Sequence, residues 1–221
     1  MGSMQTEAAD VRAANLSPEA PVLGAATPDL LAIIAFIREV DKLKAVTRKI
    51  KPLGQDRYEN SAEHSWQLAL LALTLRDFAA EPVRTDHVIR MLLVHDIGEI
   101  DTGDTMAFVE GGWAERKQDE LSAVRRIFGM LPARQAEELL ALWQEFEHGN
   151  TPESRFANAI DRVMPTLLNL VNGGQSWKEN GISYDRVVRR IEAQIAAGSP
   201  SLWNYVRGEL EQARERGIFG A

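Results

Sequence analysis

Two short stretches punctuate this chain in the same way, and they strongly constrain what it can fold into. Thr27-Pro28-Asp29 and Thr151-Pro152-Glu153 each place a hydroxyl, a proline and an acid in succession. The threonine hydroxyl caps a helix, proline suits a first helical position where no N–H is needed, and the acid favours the positive end of the helix dipole. After the first signal, Leu30, Ile33, Ile34, Ile37 and Val40 recur at helical spacing, which predicts a helix from 28 to about 46. After the second, a helix is expected to reach about 171, with a kink at Pro165. Between them, Ser61 reads as the N-cap of a helix carrying Leu68, Leu71, Ala72 and Leu75 and ended by Glu81-Pro82. Thr85 reads as the cap of a helix that carries Val88, Ile89, Leu92 and Leu93 to His95-Asp96. Further helices are expected near 114–129, 133–147, 183–197 and 200–216, with Gly173-Gly174 as a break. No strand alternation and no fixed-period repeat occurs, so the expected fold class is all-α, about eight helices packed on their sequence neighbours.

The chain has 221 residues and no cysteine, which excludes a disulfide framework and a thiolate metal site. Any metal therefore rests on imidazole nitrogens and carboxylate oxygens. A net charge of −7 argues against binding a nucleic-acid polymer, which needs a basic footprint, but leaves room for a small phosphorylated metabolite. No run approaches a membrane span and no leader pattern opens the chain, so a cytoplasmic protein without membrane contact is expected. Residues 1–27 read as a mobile extension, with Met1-Gly2-Ser3 before Met4 as an appended remnant. Residues 28–218 are expected to form a single domain.

Among only four histidines, His95 is followed at once by Asp96 behind the apolar run Met91-Leu92-Leu93-Val94. A carboxylate so near a core is costly unless paired or metal-bound. His64, in the first turn after Ser61, and Asp161, between Ile160 and Val163 on a largely apolar stretch, are each oddly placed polar groups on different helices. Three packed helices offer these two imidazoles and two carboxylates to one divalent ion such as Mn, Fe, Co, Ni or Zn. Asp161 alternatively pairs with Arg162 or Arg155. His87 and His148 read as ordinary helix-end residues, and the five tryptophans as core or interface fillers. Trp113 is the exception, because "VEGGWAE" is a glycine-flexed loop that could fold over a ligand.

These stretches carry a resemblance. "LKAVTR" (43–48), "SAEHSWQLALLAL" (61–73), "LLVHDIGEIDTGD" (92–104) and "NTPESRFANAIDRVMPTLLNL" (150–170), in that order, resemble the HD superfamily of metal-dependent phosphohydrolases, and within it the 5′-deoxynucleotidase branch. The resemblance covers roughly residues 30–172 and implies an HD-type helical bundle. It implies His64, His95, Asp96 and Asp161 as ligands of one divalent ion, Mg joining the candidates above. It further implies Arg48 as the phosphate clamp, Glu99 beside the attacking water, and Asp104 engaging the sugar or that water, with Glu99 and Asp104 sharing the catalytic duty. A guanidinium fork matches phosphate better than an ammonium does, and a carboxylate near the water can orient it or take its proton. If the helix continues past His95, Glu99 falls on the same face, and Gly103 lets the Asp104 backbone approach a ligand. The implied reaction is hydrolysis of a nucleoside 5′-monophosphate, deoxyribose preferred. Another phosphate ester, or a silent metal-binding scaffold, is the alternative. Ile100 after Glu99 departs from the alarmone-hydrolase pattern, and two-metal relatives need further histidines. The segment "GGQSWKENGISYDRV" (173–187) resembles bacterial relatives instead. By the same analogy a homodimer is expected, with Leu202, Trp203, Tyr205 and Val206 against the second copy.

Overall fold

The computed structural model describes residues 26–109 and 111–219. The expected extension at 1–27 therefore falls almost wholly outside the described residues, apart from Ala26 and Thr27. Ten helices follow: α1 (Pro28–Val40), α2 (Ser61–Leu75), α3 (Thr85–Val94), α4 (Glu99–Thr102), α5 (Trp113–Phe128), α6 (Ala133–His148), α7 (Pro152–Val171), α8 (Gln175–Glu179), α9 (Tyr184–Gly198) and α10 (Pro200–Glu215). Eight of them are ten residues or longer. The described residues contain no strand, only an isolated antiparallel bridge between Thr47 and Asn60. None of these helices is long and apolar enough to cross a membrane.

Both threonine signals hold. The Thr27 hydroxyl accepts the Leu30 N–H at 3.2 Å, and the Thr151 hydroxyl accepts that of Ser154 at 3.0 Å, with Ser154 returning a bond to the Thr151 N–H. Two other caps are corrected. Asn60, one residue before Ser61, caps α2 through a reciprocal capping box with Glu63, because its side-chain oxygen reaches the Glu63 N–H at 3.0 Å. At α3 the cap position is Arg84, and Thr85 is already helical. The first helix also ends early. The chain tightens at Val40 into a 3₁₀ turn over Asp41–Ala45, which swings Val46–Ile50 alongside Glu59 and Ser61. Likewise α2 ends at Leu75, followed by a short 3₁₀ turn, well before Pro82.

The central element is α7, and its two sides bury different partners. One packs Phe156, Ile160 and Met164 against Leu68, Val88, Met91, Leu92 and Phe146 of α2, α3 and α6. The other sets Val163 against Trp177, Ile191, Ile195, Trp203 and Val206 of α8, α9 and α10. Burying each large apolar side chain stabilises the fold by roughly 1.5–3 kcal/mol. A polar residue midway along α7 is therefore enclosed from both sides, which is Asp161's position. The helix stays continuous through Pro165, which has no N–H to give the Asp161 carbonyl, while the Thr166 hydroxyl donates to Arg162 O at 2.8 Å.

Trp203 and Val206 face this chain's own core, so the expected second-copy surface on α10 is corrected: only Tyr205 of that set is strongly exposed, at 58%. The apolar face left outward belongs instead to α1, which buries none of its residues and exposes Leu30, Leu31, Ile34 and Ile37, and to Trp66, Leu70 and Leu73 of α2.

Where α9 crosses α7, Gly198 leaves no room for a side chain. A Cβ there meets Arg155 O at 2.2 Å and the Ala159 Cβ at 2.6 Å. Gly198→Ala is expected to lower the urea midpoint by the equivalent of about 1–3 kcal/mol, the usual cost of overpacking. An unchanged midpoint would contradict this close crossing.

Candidate metal centre

His95 is the C-cap of α3, and the chain continues past it in tight turns, with Glu99 N–H donating to Asp96 O at 3.0 Å. The helix ends at the His95-Asp96 pair, as the sequence predicts, and does not continue to put Glu99 on the same face. Glu99 opens the separate four-residue α4 instead. Two side chains hold His95 in place: Trp143 Nε1 donates to its carbonyl at 3.0 Å, and the Phe146 ring lies 4.9 Å away. His64, fully buried, enters from the first turn of α2, and Asp161 from α7.

The four expected ligands converge. His64 Nε2 lies 3.0 Å from Asp161 Oδ1 and 4.0 Å from Asp96 Oδ2, and His95 Nε2 lies 3.1 Å from Asp96 Oδ1 and 3.7 Å from Asp161 Oδ1. Ligands about 2.1 Å from a common ion stand about 3.0 Å apart at right angles and about 4.2 Å apart when opposite. The observed spacings fit that range. His64, His95 and Asp96 also place one ligand atom each within 4.8 Å of one another.

Hydrogen bonding makes the fit specific. His95 Nδ1 lies 2.8 Å from Leu92 O, and a carbonyl only accepts, so Nδ1 carries the proton. Nε2 is then a lone pair, buried without a hydrogen-bond partner and directed at two carboxylates. That arrangement is repulsive unless a cation stands between them. In the metal-free chain a second proton takes that place. Burial alone lowers the His95 pKa, but Asp96 and Asp161 outweigh it and raise it to about 10. Burial likewise pushes Asp96 up, and His95 and Arg48 bring it down to about 2. His64, desolvated and near Arg48, falls to about 4 and stays neutral, as a ligand must be.

Arg48 is brought in by the Thr47–Asn60 bridge, its N–H donating to Glu59 O at 2.9 Å. Its guanidinium is 3.1 Å from Asp96 Oδ2 and 3.5 Å from both Asp104 Oδ1 and Glu59 Oε2. Glu99 accepts the Ser61 hydroxyl at 2.6 Å, and burial and the nearby Asp96 hold its carboxyl well above the usual range. Asp104 is raised by burial against the pull of Arg48. It follows Gly103, whose φ of 74° and ψ of 161° only glycine adopts without strain.

One buried acid was not singled out from the sequence. Glu59, 2% exposed, stands 3.6 Å from His64 Nδ1 and 3.5 Å from Arg48 Nε, and burial lifts its pKa to about 7. It is placed to orient both groups, as carboxylates behind metal-bound histidines do. Asp161 also pairs with Arg162, at 3.3 Å. The two readings of Asp161 therefore coexist. His87 pairs with Glu145 at 2.7 Å, away from the cluster.

A cavity of about 160 Å³ opens from this cluster, lined among others by Met106, Phe108, Trp113, Trp177 and Ile191. Trp113 borders it as the first residue of α5, behind Gly111 and Gly112 at positive φ.

The HD domain family model matches residues 40–203. A crystal structure described as a predicted metal-dependent phosphohydrolase from Magnetospirillum magnetotacticum is 40% identical, with a TM-score of 0.82, over 88% of this chain and all of that one. The curated 5′-deoxynucleotidase HDDC2 of Bos taurus is 29% identical over 67% of this chain and 70% of its own length. The human protein of the same name is 28% identical, over 59% of this chain and 63% of its own length. A further solved structure, from Pyrococcus furiosus, shares the fold at 18% identity and a TM-score of 0.52.

Proposed function

The chain belongs to the HD domain family, and on that footing we propose that it is a metal-dependent phosphohydrolase that removes phosphate from nucleoside 5′-monophosphates, deoxyribonucleotides preferred. The observation that carries this reading is the convergence of two imidazoles and two carboxylates around the orphaned His95 Nε2, beside the partly buried Arg48 and an open cavity. His64, His95, Asp96 and Asp161 would hold one divalent ion, with Mn, Co, Fe, Ni, Zn and Mg as candidates. Such an ion, when bound, polarises a phosphoryl oxygen and lowers the pKa of water.

The chain's own residues do the rest. Arg48 gives its guanidinium to phosphate oxygens, loosening its contacts with Asp96 and Asp104 as it does so. Burial and the nearby Asp96 raise the Glu99 pKa, which disposes its carboxyl to carry a proton. The Ser61 O–H occupies its Oε2, which leaves Oε1 to give a proton to the ester oxygen as its bond to phosphorus breaks and to take one back from the water that forms the new bond. Asp104, beside Glu99 and Arg48, would share that proton and meet the entering sugar, where a 2′-hydroxyl would be discriminated.

Phosphate release from paired ribo- and deoxyribonucleoside 5′-monophosphates, in EDTA and in each metal, tests the proposal. Metal-dependent release favouring the deoxy series supports it. No release from either series, with one metal still bound per chain, refutes the nucleotidase reading. Arg48→Ala is expected to raise KM about tenfold, a loss near 1.4 kcal/mol, with a smaller effect on kcat. An unchanged KM would remove Arg48 from the phosphate site.

The homodimer is also proposed, now through the outward apolar faces of α1 and α2. Light scattering on the eluting chain should give twice the chain mass, and Ile34→Glu should reduce it to one. A monomeric wild type would contradict the assignment.

A further inference from the structure

Three arginines line the catalytic cavity, and they differ in what holds them. Arg48 faces Glu59, Asp96 and Asp104. Arg162 pairs with Asp161 and donates Nε to Gln194 at 2.9 Å. Arg190 of α9 has no carboxylate within 4.0 Å among the described residues. Its Nε donates to Ala107 O at 2.7 Å, and its guanidinium carbon lies 5.4 Å from the centre of the Trp113 ring. A half-buried cation with only a carbonyl and an indole face is costly. Burial, and then Arg162, lower its pKa to about 10, so it remains charged at neutral pH.

The cavity also holds Asp96 and Asp161, whose charges oppose the entry of a dianion. Arg48 and Arg162 are already committed to those acids. We propose that Arg190 is a second phosphate-binding residue, a guanidinium that grips the substrate's phosphate from α9 while Arg48 grips it from the Thr47–Asn60 bridge. The proposal rests on the reading of this site as a phosphomonoesterase. The phosphate supplies the counterion that Arg190 lacks. Because Nε stays on Ala107 O and the guanidinium lies over Trp113, occupancy also holds Ala107 and Trp113 at the border of the cavity.

The test is calorimetric titration of inorganic phosphate into the full, metal-loaded chain, alongside deoxynucleotide kinetics, for wild type, Arg190→Gln, Arg190→Lys and Trp113→Phe. Arg190→Gln is expected to weaken phosphate binding and raise KM together, each about tenfold, with kcat less affected and metal content unchanged. Arg190→Lys should recover part of the binding, since a point charge replaces a fork. Trp113→Phe, which keeps the cation, should leave phosphate binding close to wild type. Unchanged phosphate affinity in Arg190→Gln overturns the proposal, as does an equal loss in Trp113→Phe, which would make Arg190 only an anchor for Ala107 and Trp113. If wild type binds phosphate but hydrolyses no nucleotide, the nucleotidase reading fails, while a weaker titration in Arg190→Gln still upholds this assignment.

Discussion

Asp96→Asn is expected to give a folded chain that neither retains a stoichiometric divalent ion nor releases phosphate. The change keeps the side chain's shape and removes its charge. It deletes the carboxylate that lies 3.1 Å from His95 Nε2 and 3.1 Å from Arg48, and it offers an amide in place of a metal ligand. Loss of an outer partner of a metal site alone costs ten- to a hundredfold in affinity or activity, so loss of a direct ligand should exceed roughly a hundredfold in both. The fold should survive, because the core clusters on either side of α7 do not depend on Asp96. Metal content by mass spectrometry, helicity by circular dichroism and phosphate release, read on one preparation, check all three. Full activity in this variant would sink the metal assignment.

Glu99→Gln separates chemistry from metal binding. Glu99 is not among the converging ligands, and the Gln carbonyl can still accept the Ser61 hydroxyl that Glu99 accepts at 2.6 Å. The amide cannot carry a transferable proton. The variant is therefore expected to hold its ion with wild-type stoichiometry while kcat falls by about 10²–10⁴, the usual worth of a positioned acid or base. Rapid-quench kinetics at saturating substrate would measure it. A kcat within a fewfold of wild type would transfer the proton role to Asp104 alone.

The helical order of the chain was legible because caps, prolines and 3.6-residue periodicity act locally. The candidate ligands were legible only in part this way, and the family resemblance supplied the rest. Asp96 follows an apolar periodic run and Asp161 lies within one, so the cost of burying them marks them out, whereas His64 stands between Glu63 and Ser65 and was added by the resemblance. Glu59 and Arg190 lack that contrast. Glu59 stands in the polar stretch Tyr58-Glu59-Asn60, and only the Thr47–Asn60 bridge, a contact remote in sequence, carries it under His64. Arg190 lies in the basic run Arg189-Arg190 on α9, which reads as a solvated face until the fold turns it towards Ala107 and Trp113. The choice between Asn60 and Ser61 as cap turned on which side chain reaches Glu63, and Ser61, released from capping, serves Glu99 instead. The apolar stripe of α1 has the pattern of a core helix and is exposed, since periodicity reveals an apolar face but not what covers it.

The central claim is one functional ion at His64, His95, Asp96 and Asp161. It is tested most directly by phosphate release from a deoxynucleoside 5′-monophosphate as Mn is titrated into the EDTA-stripped chain. The account predicts no release without metal, recovery that saturates at one equivalent per chain, and an unchanged helical signal throughout. Equal release in EDTA, or recovery that saturates only at two equivalents, would contradict it.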